Sequence, residues 1–136
     1  MTAGNFSSDL AFRRLQELRP ILLKLHKALL EAERESYEQT NGPIRTKGEY
    51  FQLVISHEWF NWLRPISQFI VQIDEVLMSK KPQPPEKATE LLQEARSLLQ
   101  TSATGTALRE RYHIAVQHDP TIAAMYAKVS ELIEED

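Results

Sequence analysis

Leu15, Leu18, Leu22, Leu25, Leu29 and Ala32 follow one another at spacings of three and four. Only a helix gathers such positions onto one stripe, because a strand would scatter them over both of its faces. Leu23, Leu30 and Tyr37 widen the same stripe. The first third of the chain is therefore committed to a long amphipathic helix. Asn41-Gly42-Pro43 is the sequence that would stop it, and Ser8 or Asp9 could cap its start. Pro20 lacks a donor, so it predicts either a kink or a second start at that point.

The remaining turn-forming runs are KKPQPPEK at 80–87, TSATGT at 101–106 and HDP at 118–120, and each interval between them has helical periodicity. Thr46 with Glu49 fits a capping box opening a short helix through YFQLVI, and Ser56 could cap the next. That second long helix carries Trp59, Leu63, Ile66, Ile70, Ile73 and Leu77 on one seam, flanked by Phe60, Trp62 and Phe69. Thr106 and Asp119-Pro120 open two later helices. The expected fold is all-α, an up-and-down bundle of four to five helices in a single domain over 1–136. Residues 1–8 are expected to form a loose N-terminal tail, and 80–87 a proline-rich connector.

A chain of 136 residues with 42% apolar and 26% charged side chains can bury an ordinary core. Its net charge of −3 provides no general attraction to nucleic acid or an anionic membrane. The absence of cysteine removes disulfides, thiolate metal sites and thiol nucleophiles. No signal layout opens the chain, and Arg64, Pro65 and Asp74 interrupt its longest apolar run, so a cytoplasmic protein without a membrane partner is expected. Nucleophile-elbow and phosphate-loop glycine patterns are missing. Glu110 and His113 have the i, i+3 spacing of a di-iron bundle ligand pair, but the pattern needs two copies and only one is present. No metal or cofactor is expected.

The chemistry-bearing residues lie inside the apolar faces. His26 and Glu33 are seven apart near the middle of the first helix's stripe, with Arg19 in the same row if Pro20 does not break the phase. Arg64, Ser67 and Asp74 form a comparable row on the second long helix. Buried alone, each would cost several kcal/mol, so partners are expected. Two helices joined by a short connection run antiparallel. With opposed residue numbers totalling about 97 to 100 in such a pairing, Glu33 meets Arg64 and His26 meets Asp74. The seam would fix the register of two otherwise uniform apolar helices. The same groups, His26, Glu33, Tyr37, Arg64 and Asp74, with His57 nearby, could instead line a small polar ligand pocket.

HKALLEAERESYEQTNGPI followed by YFQLVISHEWFNWLRPISQFIVQIDE resembles a family of small uncharacterised bacterial all-helical proteins with a Trp-Leu-Arg-Pro helix. The resemblance covers residues 25–75. It implies a bacterial helical protein and transfers no catalytic residue. The functional expectation is a non-catalytic bundle acting through protein contacts, as a homodimer, because Trp59, Phe60, Trp62 and Phe69 surround so much of one helix that a small bundle would leave an aromatic patch. The alternative is a small-ligand or metal-binding bundle centred on the polar seam.

Overall fold

The computed structural model describes residues 3–81, 83–84, 86–100 and 104–134, with side chains from Leu10 onward. Within them the chain forms six α-helices, one 3-10 segment and no strand. The α-helices are α1 (Ala3–Asn41), α2 (Lys47–Ser56), α3 (Arg64–Leu77), α4 (Glu86–Leu98), α5 (Ala107–His118) and α6 (Pro120–Ile133), and the 3-10 segment spans Glu58–Leu63. The all-helical class is as the periodicity predicts, with more helices than the four to five expected. None is long and apolar enough among the described residues to cross a membrane.

Two differences from the expected element boundaries involve proline. α1 runs unbroken through Pro20. Pro20 and Gln16 are both exposed, so water can take the carbonyl that the missing N–H leaves free. The helix also begins at Ala3. Residues 3–8 are therefore helical rather than a loose tail, and Ser8 and Asp9 lie inside the helix instead of capping it. At Pro65 the opposite happens. The expected second long helix divides into the 3-10 segment and α3, which carries the proline in its first turn where a missing donor costs nothing. The cap of the 3-10 segment is His57, whose Nδ1 accepts from the Trp59 N–H at 3.1 Å. Ser56 instead closes α2, its hydroxyl donating to the Gln52 carbonyl.

Other local signals are realised as expected. Thr46 Oγ1 accepts from the Glu49 N–H at 3.0 Å, while the Glu49 carboxylate accepts from the Arg45 N–H. Thr106 caps α5, and Asp119 accepts from the N–H groups of Thr121 and Ile122 at the start of α6. Gly42 ends α1 at φ +88, a left-handed conformation that favours glycine. Of the connector 80–87, Pro82 and Pro85 lie outside the described residues. The part between them is non-helical, and α4 starts at Glu86.

α1 is the spine. Leu15, Leu18, Leu22, Leu25 and Leu29 are all fully buried, and α3, α4 and α6 pack around them. Arg19 pairs with Asp74 while His26, further along α1, shares a cleft with Arg64 and Ser67, so α3 runs antiparallel to α1. Arg14 donates to the Glu134 carbonyl, and Ile21 and Lys24 line one groove with the first turns of α6, so α6 is antiparallel too. α2, the 3-10 segment and α5 gather over the C-terminal half of α1. α2 differs from every other helix there, since none of its residues is buried.

Candidate functional site

Because α1 is continuous, Arg19, His26 and Glu33 do form a single seven-residue row, and the row faces α3 and the 3-10 segment. The register differs from the expected one. Arg19 opposite Asp74 puts the total of opposed residue numbers at 93, so α3 sits one to two helical turns from the expected position. Each polar partner is displaced accordingly, and the five predicted site residues fall into three places.

Asp74 is occupied by Arg19, whose Nε and Nη2 donate to its two carboxylate oxygens. The expected His26–Asp74 pair therefore does not form. Two turns along the row, His26 faces Arg64 and Ser67 across a cleft of about 310 Å³, walled on one side by Val54 and Ile55 of α2 and floored by Phe60 and Leu63. Arg64 Nη2 donates to the Ile55 carbonyl, so it ties α2 to α3 instead of pairing with Glu33. Its Nε is buried with no acceptor among the described residues. Ser67 Oγ donates to the Arg64 carbonyl at 3.0 Å, leaving its lone pairs to the cleft. His26 has no hydrogen-bond partner among the described residues, and burial alone pushes its pKa below the usual 6.5. None of the described residues lining the cleft carries a carboxylate.

Glu33 lies two turns further on. Its carboxyl is held above the ordinary 4.5 chiefly by burial. Arg111 of α5 opposes that shift, followed by the indole N–H groups of Trp59 and Trp62, which lie close enough to favour the charge. Neither indole reaches hydrogen-bond geometry, and Glu33 Oε2 and both indole nitrogens are buried without a partner among the described residues. Tyr37, the next turn of α1, meets His57 edge-on at 5.5 Å and Trp59 at 5.6 Å, with Phe60 tilted at 5.9 Å. The expected neighbourhood of Tyr37 and His57 is real, but it is an aromatic contact rather than a polar pocket. The indoles were not legible as neighbours of Glu33, since they lie on the 3-10 segment before Pro65, and neither was Arg111, which comes from α5, distant in sequence.

The aromatic patch expected around the second long helix does not form. Phe60, Trp62 and Phe69 are buried and Trp59 is half-buried. Exposed apolar side chains lie elsewhere: Phe12, Met78 and Ile114 stand apart from the cleft, and four others are grouped around it. Phe51 and Ile55 stand one turn apart on α2 at 62% and 48% exposure, with Val71 of α3 and Leu23 of α1 at 55% and 39%. Both of the latter are one turn from cleft residues, Val71 from Ser67 and Leu23 from His26.

A carboxylate beside His26 would orient its ring; the one expected there belongs to Arg19, and none lines the cleft among the described residues. Among the described residues no three His, Asp or Glu side chains gather as a metal site would require. Gln117 engages His113 at 3.2 Å on the surface of α5. No family model matches the chain, and comparison with curated proteins and with solved structures finds no significant match.

Proposed function

We propose that the protein is a non-catalytic helical bundle that acts by protein contact, pairing with a second copy of itself through the face formed by α2 and the cleft beneath it. The observation that carries this is the apolar helix α2, which buries none of its residues and turns Phe51 and Ile55 outward beside an apolar cleft. Exposed apolar groups clustered around a concavity are the usual mark of an interface. A twofold interface must also be self-complementary. The cleft's permanent charge is the Arg64 guanidinium, whereas exposed Glu58 stands at the junction where α2 ends. One copy's acid can therefore answer the other's base.

Light scattering over a concentration series tests the proposal. The native chain should give twice its 15.7 kDa mass. Phe51→Glu with Ile55→Glu, both surface changes, should return it to a single chain and weaken association at least about a hundredfold, as loss of a central apolar anchor does. A native monomer throughout the series contradicts it.

The unpartnered His26 imidazole favours a second reading, in which the cleft takes a small acid. A thermal-shift screen with small carboxylates on the Phe51→Glu single variant, which leaves the cleft lining intact, separates the two, because a ligand specific to the folded state must raise the melting temperature.

A further inference from the structure

A second concavity lies on the opposite side of α1, between it and α6. It is an open trough of about 500 Å³, floored by Ile21, Ala124, Met125 and Pro120 and edged by Lys24 from α1 and Lys128 from α6. None of the described residues lining it carries a carboxylate. Neither ammonium has an ion-pair partner among the described residues. Asp119, at the α6 N-terminus, is engaged by the Thr121 and Ile122 N–H groups. The trough lining thus carries positive charge in a chain of net charge −3.

We propose that this trough binds a medium-chain carboxylic acid, its hydrocarbon tail lying along Ile21, Ala124 and Met125 and its carboxylate held by Lys24 and Lys128. Charge complementarity selects an anionic head, and the apolar floor selects a hydrocarbon tail. The lining residues of α6 run from Pro120 to Lys128, a rise of about 12 Å, the length of an acyl chain of roughly eight to ten carbons. The open side leaves the tail about half covered, so each added methylene should tighten binding about twofold rather than the roughly fourfold of full burial. The gain should stop once the tail outgrows the trough.

Calorimetric titration of the full chain with octanoate, decanoate and dodecanoate, and with decanol and decyltrimethylammonium, tests both parts. Decanoate should bind about fivefold more tightly than decanol, the scale of two exposed charge contacts, and the cation should bind least. Lys24→Glu with Lys128→Glu should abolish the preference for the acid, and Ala124→Trp, at an exposed position, should block the tail. Phe51→Glu with Ile55→Glu should leave binding unchanged, which keeps this site distinct from the α2 face. Equal affinity for acid, alcohol and cation, or decanoate binding unaffected by Ala124→Trp, overturns the proposal even if every variant folds normally.

Discussion

Leu25→Ala should lower the unfolding free energy by about 3 kcal/mol, whereas Leu23→Ala, two residues away, should change it by less than about 0.5 kcal/mol. The contrast follows from the role of α1. Leu25 is fully buried in the central row, but Leu23 is 39% exposed on the rim of the cleft. Truncating Leu25 removes its apolar contacts and leaves a cavity bounded by elements too well packed to close it. In a domain of this size the loss corresponds to a fall in melting temperature of about 10 °C. Chemical denaturation of both variants is the check. Similar costs at the two positions would mean that α1 does not present one fixed face to the core.

Glu33→Gln should make the protein more stable at pH 7, by about 1 kcal/mol, because it removes a charge that burial disfavours. Burial holds the Glu33 carboxyl above 4.5, so the folded chain retains this proton to a higher pH than the unfolded chain does. The group's contribution to stability is therefore complete below about pH 4.5 and is lost as pH rises through its raised folded value. Glutamine keeps the shape and an oxygen for the indoles but carries no charge to desolvate. The advantage of the variant should shrink as pH falls and vanish at the acid end, a signature that simple repacking would not give. A variant less stable at pH 7 would mean that Arg111 and the two indoles more than repay the carboxylate's desolvation.

How much of this was legible in the sequence depends on how local the signal is. The leucine row of α1, the Thr46–Glu49 box, the Thr106 cap and Asp119-Pro120 are decided within a few residues, and each appears where the sequence places it. The polar row was legible as a row because its seven-residue spacing is also local. Its pairings were not. They depend on how far α3 slides along α1, and that is set by the 3-10 segment before Pro65, which consumes length differently from an α-helix. A shift of one to two turns gave Asp74 to Arg19, left His26 without an acid and moved Arg64 to the Ile55 carbonyl. Seven-residue spacing made Arg19 an available partner, and the unbroken helix through Pro20 made it the actual one. The apolar surface was misplaced for a related reason. Counting apolar residues on one helix exposed the need for cover, but α1, α2 and α5 supply that cover to the tryptophans, and α2 itself is left open.

The most direct test of the proposed pairing exploits the absence of cysteine. A single thiol introduced by Ile55→Cys reports on the α2 face alone. A second variant, Ser36→Cys, places its thiol at an exposed position of α1 and serves as the reference. The rate of maleimide labelling of the α2 thiol should fall as protein concentration rises, while that of the α1 thiol stays constant, because pairing covers the first and not the second. Labelling of the α2 thiol at the same rate at every concentration would show that this face remains uncovered, and the proposed self-association through α2 would be wrong.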